Sequence, residues 1–441
     1  MLKTRIAPRL RLGALAAMCL MAEYAVLASS QPKFWLIAAL NQLQQPVGVS
    51  EGSPGVLYSE GGSSGQFAFS ISTQGSKTIL ATFPSGYNIM AVPLSAPNGR
   101  FYSAVGYMLN PVSTFSVSSA AHSQKLYASQ PNGVELLQNL PNGTLLGIAG
   151  HTSGTETYYL VSSDLDGNLT TIYQFPVEER LPNTLIYASD GNYYGVAITG
   201  GGYVYRVTPA GALTKLATFP VNSFLSASNF VPLLQASDGN LYGVVPNGSS
   251  TGTAVFYRLT LSGAYTALYT FPSGLSYDPT ALIEGSDGNF YGSTLGAGSQ
   301  LIRLTKSGQY TLLHTLNALT EGQCQCHLTQ GSDGTIYGSA QAGAQYGGGS
   351  IFAFDLGLPK PQPYTQDFEP QSGAAGTQVR LWGHNLLSAS VQFNGMAATA
   401  VYNSGPNYVW ATVPEGATTG PITVTTPGGT ITTQASFTVP Q

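Results

Sequence analysis

Gly285-Ser286-Asp287-Gly288-Asn289-Phe290-Tyr291-Gly292 is one copy of a segment that recurs along the chain. Close copies begin at Ala188, Ala236 and Gly331, and looser copies begin at Gly52, Ala96 and Leu140. One glycine column passes through all seven copies: Gly55, Gly99, Gly143, Gly191, Gly239, Gly288 and Gly334. The intervals in this column are 44, 44, 48, 48, 49 and 46 residues. Periods of this size are typical of solenoids and propellers.

Each repeat is predicted to form four short strands, A to D. In the fifth copy, strands A and B are residues 231–236 and 241–245, and strands C and D are residues 254–260 and 265–271. The Asp-Gly pair between A and B supplies the positive φ that a tight hairpin needs. Alternating side chains along strand D favour a strand over a helix. We therefore expect an all-β chain.

The seventh copy has no strand D, because a proline-rich linker follows Leu356. The missing strand is available at the other end of the chain, in Phe34–Leu40, whose Leu40-Asn41 matches Leu316-Asn317 of the sixth copy. These complementary deficits predict a seven-bladed β-propeller closed by an N-terminal strand, which would leave no open sheet edge. An open solenoid is the alternative.

Charged residues make up only 8% of the chain, against about 25% in an average soluble protein. Residues 1–30 combine four cations with the apolar run Leu12–Ala22, and so predict a secretory signal peptide. Its removal would leave 12 Lys+Arg and 19 Asp+Glu, a net charge of −7. We expect a secreted or cell-surface protein that binds no nucleic acid, because phosphate recognition needs clustered cations.

The repeats resemble the GloVer-type tandem repeats of exported bacterial proteins, closely in residues 181–356 and loosely in 47–150. The resemblance rests on Gly-Ser-Asp-Gly-Asn-Phe-Tyr-Gly, a glycine-rich loop, a Phe-Arg-Leu-like strand and a strand ending in Phe-Pro. It implies a secreted or surface-anchored β-propeller with no established activity, so that no catalytic residue can be transferred.

A second unit begins after Pro363 and contains Gly383-His384-Asn385-Leu386, Phe393-Asn394-Gly395 and Gly420-Pro421-Ile422. It is similar to the IPT/TIG family of immunoglobulin-like domains, which implies a spacer or interaction module of the β-sandwich class. The expected organisation is therefore a signal peptide (1–30), a propeller (31–357), a proline-rich linker (358–364) and an IPT/TIG domain (365–441).

Several motifs suggest chemistry, but each has a simpler structural explanation. Gly61-Gly-Ser63-Ser-Gly65 fits the nucleophile elbow of hydrolases, yet it falls on a B–C loop rather than between a strand and a helix. The aspartates next to the glycine column alternate with Asn and Pro, which turns tolerate and calcium sites do not. Asp164-Leu-Asp166-Gly-Asn168 is likewise expected to be a C–D turn.

The tyrosine column of strand B (Tyr58, Tyr102, Tyr194, Tyr242, Tyr291 and Tyr337) is predicted to pack between blades, with its hydroxyls on backbone partners. Cys324 and Cys326 are separated by one residue and could form only a strained disulfide. With His327 they still lack a fourth metal ligand. Whether this pair is inert or functional stays open.

Function in propellers usually lies where repeats diverge, and here the D–A loops are dissimilar. They offer a mixed aromatic and acidic set suited to sugars or peptides: Tyr87, Glu178, Glu179, Arg180, Phe230, Tyr277 and Asp278. We expect a monomeric, non-enzymatic module that binds an extracellular glycan or protein, with no membrane span after signal removal. We expect no catalytic residue, metal or cofactor. A propeller lyase or hydrolase acting on extracellular polysaccharide is the alternative, and a purely structural spacer is a third possibility.

Overall fold

The structure is a computed structural model in which the chain is all-β. It describes residues 32–41, 45–62, 67–83, 88–89, 94–107, 110–118, 123–129, 134–150, 157–176, 185–197, 202–219, 233–245, 254–272, 279–294, 298–323, 327–403 and 405–440. Within these ranges there are nine β-sheets and no helix. Accordingly, the described residues include no helical segment with the length and apolarity needed to cross a bilayer.

Seven sheets follow one another between residues 33 and 355, and most are four-stranded antiparallel meanders. Sheet 1 contains β2 (Pro46–Ser53), β3 (Val56–Gly61), β4 (Phe67–Ser72) and β5 (Lys77–Thr82). Sheet 2 contains β6 (Asn88–Ile89), β7 (Leu94–Ser95), β8 (Arg100–Tyr107), β9 (Asn110–Ser118) and β10 (Ser123–Ser129). Sheet 3 contains β11 (Val134–Asn139), β12 (Leu145–Gly150), β13 (Tyr158–Ser163) and β14 (Leu169–Gln174).

The next three sheets repeat this arrangement. Sheet 4 contains β15 (Leu185–Tyr187), β16 (Tyr193–Ala197), β17 (Tyr203–Val207) and β18 (Leu213–Thr218). Sheet 5 contains β19 (Leu234–Gln235), β20 (Leu241–Val245), β21 (Val255–Leu259) and β22 (Tyr265–Thr270). Sheet 6 contains β23 (Pro279–Glu284), β24 (Phe290–Thr294), β25 (Gln300–Leu304) and β26 (Tyr310–Thr315). The strands of each sheet correspond to the predicted strands A to D.

Sheet 7 combines strands from both ends of the repeat region. It contains β27 (Leu328–Gln330), β28 (Ile336–Ala340), β29 (Gly347–Asp355) and, from the start of the chain, β1 (Lys33–Asn41). β1 pairs antiparallel with β29 and therefore takes the strand D position. Leu40 lies one residue beyond the Ala39–Ser350 pair and is only 2% exposed, as is Leu316 in the equivalent position of sheet 6.

The A–B connections are tight turns whose geometry follows from the repeated glycine. In sheet 5, the Gly239 amide donates to Ala236 O (2.8 Å) and the Ala236 amide donates to Asn240 O (2.9 Å). Gly239 has a φ of 81°, in the region that disfavours residues with a Cβ. Asp238 Oδ1 accepts the Asn240 amide at 3.0 Å and so fixes the turn.

Every strand D contains a β-bulge, which the sequence pattern did not reveal. In sheets 4 and 5 the extra residues are Leu216 and Leu268, each skipped in the pairing with strand C. Both leucines pack into the apolar cluster that joins their sheet to the next one. A Cβ on Gly308, in the C–D turn of sheet 6, would lie within 2.8 Å of the Leu268 carbonyl carbon, so these sheets approach each other closely at the bulge.

Apolar clusters join the seven sheets in sequence order. Phe101 of sheet 2 packs against Leu80 and Phe83 of sheet 1, and corresponding clusters join sheets 2 to 3, 3 to 4, 4 to 5, 5 to 6 and 6 to 7. A further cluster joins sheet 7 to sheet 1 through Tyr337, Leu57 and Phe69. The tyrosine column lies in these clusters, as predicted.

A polar contact, here called the serine latch, also joins successive sheets. The serine after strand A of one sheet donates its amide to a Gln or Glu side chain at the end of strand A in the next sheet. The pairs are Ser189–Gln235 (2.8 Å), Ser237–Glu284 (2.7 Å), Ser286–Gln330 (2.9 Å) and Ser332–Glu51 (2.6 Å). The last pair connects sheet 7 to sheet 1. Burial raises the pKa of Glu51 above its ordinary value, although Ser332 and Gly55 donate to its carboxylate.

The second unit consists of two further sheets packed around one core. Sheet 8 has the order β30 (Tyr364–Glu369), β31 (Gln378–His384), β35 (Tyr408–Thr412), β34 (Val401–Asn403), and sheet 9 has the order β33 (Met396–Ala397), β32 (Ser390–Phe393), β36 (Gly420–Thr426), β37 (Gly429–Phe437). Val379, Leu381 and Val409 of sheet 8 meet Val391, Phe393 and Ile422 of sheet 9 in this core.

The position of β1 gives a first prediction. Leu40→Ala should lower the free energy of unfolding by about 2–4 kcal/mol, because it removes a buried side chain from the cluster between sheets 7 and 1. Urea unfolding of the protein measures this change. Lys33→Ala on the same strand is the control, since Lys33 is exposed. A Leu40→Ala variant as stable as the Lys33→Ala control would contradict the placement of β1.

The latch between sheets 7 and 1 gives a second prediction. Glu51→Ala should cost about 2–3 kcal/mol, because the Ser332 amide loses its acceptor. Glu51→Gln should retain the contact, because Gln235 and Gln330 make it in sheets 5 and 7.

The pH dependence separates these variants further. The raised pKa of Glu51 means that the folded chain keeps a proton which the unfolded chain releases above about pH 4.5. The free energy of unfolding of the parent should therefore fall as pH rises above about 4.5. The free energy of unfolding of Glu51→Gln should not fall for this reason, so this variant should become more stable relative to the parent between about pH 4.5 and pH 7.5. Urea unfolding at both pH values tests this, and a Glu51→Gln variant as unstable as Glu51→Ala would refute the latch.

Candidate functional site

The predicted ligand-binding residues all lie outside the described residues. This holds for Tyr87, Glu178, Glu179, Arg180, Phe230, Tyr277 and Asp278, and also for Cys324 and Cys326. In the sequence, each of the seven predicted ligand-binding residues falls between strand D of one sheet and strand A of the next.

The aspartates of the repeat serve the turns and the tyrosine column. Tyr242 donates its hydroxyl to Asp238 Oδ2 at 2.8 Å, and the same contact recurs at 2.6–2.8 Å in three other sheets: Tyr194–Asp190, Tyr291–Asp287 and Tyr337–Asp333. The predicted backbone partner is therefore wrong for these tyrosines, because the nearby carboxylate is a stronger acceptor. Tyr102 does reach a backbone oxygen, Leu165 O, at 3.3 Å.

An arginine that the sequence analysis missed completes this arrangement in three sheets. Arg206, Arg258 and Arg303 stand opposite Tyr194, Tyr242 and Tyr291 in the pairing of strands C and B, where each arginine lowers the pKa of the tyrosine hydroxyl against the larger effect of burial. The recurring arginine in strand C was the available signal. Partial burial opposes ionisation of Asp238, but hydrogen bonds from Asn240 and Tyr242 outweigh it and lower its pKa. In the described ranges, no three His, Cys, Asp or Glu side chains are grouped as metal ligands.

Two motif-like segments adopt the predicted structural roles. The Gly61–Gly65 segment joins β3 and β4, which are antiparallel neighbours, although residues 63–65 themselves lie outside the described set. A nucleophile elbow needs a following helix, and β4 is a strand. Asp164 accepts the Asp166 and Asn168 amides and forms the turn between β13 and β14.

One polar group stands apart from these networks. Glu60 of β3 is fully buried, and neither carboxylate oxygen has a hydrogen-bond partner. Its cross-strand neighbours are Gly48 and Ala68, which leave room for the longer side chain. Burial raises its pKa well above the ordinary value, which favours the neutral carboxyl.

The second unit contacts the A–B turns of sheets 2 and 3. Tyr408 donates its hydroxyl to Leu140 O at 3.1 Å, and Trp410 Nε1 donates to Pro97 O at 3.2 Å. Arg380 Nη2 lies 3.4 Å from Pro141 O, to which it donates. In these two turns the repeat reads Pro-Asn-Gly instead of Ser-Asp-Gly, so two of the three looser copies contact the second unit.

The proline in these turns has a physical consequence for the serine latch. Pro97 and Pro141 occupy the latch serine's position and lack the amide and hydroxyl that a Gln or Glu would bind. Asn139 instead donates to Ser95 O at 2.8 Å, and Gln138 accepts the Tyr187 amide at 2.7 Å. The carbonyl groups that face outward are taken by the second unit.

The linker extends this contact across the same face. Ser286 Oγ donates to Pro359 O at 2.5 Å, and Asn385 of the second unit donates to Gln362 O at 2.9 Å. Between the units lie two clefts, of about 210 Å³ beside Glu51 and Gln330, and about 340 Å³ beside Asn142 and Arg380. The A–B end of the repeat region is thus partly covered, whereas the D–A and B–C connections leave the strands at the other end.

The contact between units gives a third prediction. The double variant Gly99→Ala/Gly143→Ala should weaken the docking of the second unit, because the new Cβ atoms would lie 2.5 Å from Tyr402 Oη and 2.3 Å from Arg380 Nη1 and would displace these two side-chain ends from the turns. Gly239→Ala/Gly288→Ala is the matched control. Its glycines have φ values of 81° and 76°, against 72° and 82°, and meet nothing closer than 3.9 Å.

Both double variants should introduce the same backbone strain, because all four glycines have similar positive φ values. Only the first should make the linker more accessible to cleavage. The measurement is the rate at which proteinase K cleaves residues 357–363, with fragment masses to locate the cut. Equal cleavage rates in the two variants would contradict the docking of the second unit on these turns.

The comparisons with known proteins support the repeat and the fold class. The family model of the Gloeobacter/Verrucomicrobia repeat matches residues 229–405. It confirms the predicted repeat resemblance in residues 229–356, and the match continues into the segment that was predicted to be linker and IPT/TIG domain. No curated protein matches the sequence significantly.

Solved structures of similar fold share little sequence with this chain. A fungal alcohol oxidase of the AA5 family, in complex with copper, has a TM-score of 0.50 at 11% identity, over 92% of this chain and 98% of its own. Oligogalacturonate lyase from Vibrio parahaemolyticus has a TM-score of 0.50 at 14% identity, over 74% of this chain and 94% of its own. An oligogalacturonate lyase in complex with manganese has a TM-score of 0.50 at 14% identity, over 75% of this chain and 98% of its own. The chain therefore has an all-β, propeller-like fold.

Proposed function

We propose that this chain is an exported, non-enzymatic binding protein, built as a seven-bladed β-propeller with an immunoglobulin-like domain fixed to one face. The pairing of β1 with β29 and the latch from Ser332 to Glu51 both support closure of the seven sheets into a ring. The IPT/TIG-like motifs and the two packed sheets of the second unit support the immunoglobulin-like assignment. The signal-like residues 1–30 support export to the cell surface or medium.

The docking of the second unit carries the functional part of the proposal. Tyr408, Trp410 and Arg380 hydrogen-bond the A–B turns, so that end of the propeller is engaged within the chain. The connections at the other end, which include Tyr277 and Phe230, are the variable part of the repeat. A rigid scaffold with divergent loops at one end is the usual arrangement of a binding surface. We assign the extracellular ligand, a glycan or a protein, to that end.

Low charge and fixed geometry define the expected mode of action. The sparse cations make nucleic acid an unsuitable ligand. The docked second unit would act as a fixed base that orients the loop end away from its attachment point, rather than as a flexible stalk. We expect the mature chain to be a monomer that acts without a cofactor.

The fourth prediction tests binding against catalysis. Residues 31–441 should bind members of a panel of uncharged and acidic extracellular polysaccharides without releasing reducing ends or unsaturated products from them. Tyr277→Ala and Phe230→Ala should each weaken binding about tenfold, as truncation of an aromatic contact usually does.

The control is Tyr364→Ala, an exposed tyrosine on the second unit, which should bind as the parent does. Turnover of any polysaccharide in the panel would favour the alternative of a propeller lyase or hydrolase. Unchanged binding in both loop variants would remove Tyr277 and Phe230 from the site.

A further inference from the structure

Part of the loop end is described where sheets 6 and 7 meet. It consists of residues Asn317–Gln323 of the D–A connection and of the B–C connection 341–346. The Gln323 amide donates to Ala342 O at 2.7 Å, and the Ala344 amide donates to Ala318 O at 3.0 Å. These bonds join two loops from different sheets into one surface element, here called the paired loops.

The paired loops have a hydrogen-bonded backbone of fixed shape. Asn317 O accepts the amides of Thr320, Glu321 and Gly322 at 3.2, 2.7 and 3.1 Å, and Asn317 Oδ1 accepts the Leu319 amide at 3.0 Å. Ser350 donates its hydroxyl to Glu321 O at 2.5 Å, which ties the loop to β29. Such an element loses little conformational entropy when it binds a partner, because its backbone is already fixed.

Glycine permits the close approach of the two loops. Gly343 has a φ of 75°, and a Cβ there would lie 2.4 Å from Ala318 O. The next residue, Ala344, also has a positive φ, 57°, and is buried between the loops. The chain therefore accepts strain here to hold this geometry, and residues under such strain are common at ligand-binding sites.

This fixed element holds two large apolar side chains outward. Leu319 is 81% exposed and Tyr346 is 57% exposed. They lie one and two residues from the Ala318–Ala344 hydrogen bond, so both belong to the same small surface. Neither side chain gains much from burial in the folded chain, and folding alone gives no reason for their exposure.

Within the described residues of the paired loops, the side chains exposed beside Leu319 and Tyr346 are polar and uncharged. The other exposed side chains of the paired loops are amides and a hydroxyl: Asn317, Thr320, Gln323 and Gln345. The one carboxylate, Glu321, turns inward, where Oε2 accepts the Asn317 amide at 2.8 Å and lies 3.0 Å from His314 Nε2. No Lys or Arg occurs in the two segments.

These features match one ligand chemistry. Amides and hydroxyls both donate and accept hydrogen bonds, as sugar hydroxyl groups do. A tyrosine ring offers a flat apolar face to the C–H side of a pyranose, with a polar tip beside it. A uronic acid would require a cation opposite its carboxylate, and an acidic peptide would require the same. We propose that Leu319 and Tyr346 form a contact site for an uncharged polysaccharide, an inference that rests on the proposed function and specifies its ligand.

The fifth prediction uses affinity electrophoresis of residues 31–441 in uncharged glucan, mannan and xylan, with polygalacturonate as the acidic comparison. Tyr346→Ala should weaken binding to an uncharged polysaccharide about tenfold, and Leu319→Ser should weaken it severalfold. Tyr346→Trp should retain binding, because it keeps the aromatic face. Thermal unfolding of each variant should match the parent, since both side chains are exposed.

Leu312→Ser is the matched control, because Leu312 is a half-exposed leucine on β26 of the same sheet, away from the paired loops. Parent-like binding by both Tyr346→Ala and Leu319→Ser would overturn this inference and leave the proposed binding function standing. Binding to polygalacturonate alone would also overturn it. A parent chain that binds no polysaccharide would overturn it too, and a failure to bind extracellular proteins as well would remove the proposed function itself.

Discussion

Each sheet of the repeat region has two apolar faces, and a four-stranded sheet cannot bury either of them by itself. The solution is a neighbour on each side, and the apolar clusters between successive sheets provide it. The cluster of Tyr337, Leu57 and Phe69 extends this principle to the sheets at the two ends of the series. The residues that repeat most strictly are therefore those that face another sheet or shape the turn that brings it close.

Polar groups reinforce this apolar order at the A–B turns. The serine latch joins sheets 4 to 5, 5 to 6, 6 to 7 and 7 to 1 with the same donor and alternating Gln and Glu acceptors. It is absent from the turns that begin with Pro97 and Pro141, where the second unit binds instead. The same position in the turn holds either serine or proline. A turn with serine bonds to the next sheet through the latch, whereas the turns with Pro97 and Pro141 bond to the second unit instead.

Much of the fold was predictable from local patterns in the sequence. The glycine column indicated seven repeats, and Leu40-Asn41 indicated that β1 takes the strand D position. Both features were predictable because each is carried by a short run of residues that can be recognised in the sequence itself. The Asp–Tyr contacts and the arginines Arg206, Arg258 and Arg303 were missed. Their partners lie across a turn or a strand pair, and alternation along a strand does not report them.

The candidate site was predictable only in part. Divergence of the D–A connections led to the prediction of one end of the repeat region, but it favoured charged and aromatic residues such as Glu178 and Tyr277. Leu319 and Tyr346 gave no sequence signal, because their exposure depends on two loops from different sheets meeting through Ala318 and Ala344. The docking of the second unit was equally invisible, since it joins Trp410 and Tyr408 to turns far away in the chain.

The origin of the outer strand of sheet 7 also bears on how the molecule is made. β1 precedes every other strand of the repeat region, but its partner β29 is synthesised only after six complete sheets. Until then Phe34, Leu36 and Leu40 have no sheet to join, and their unpaired edge is available to other chains. Sheet 7 can be completed only when the end of the repeat region has been made, so synthesis and the final topology are coupled through the same strand.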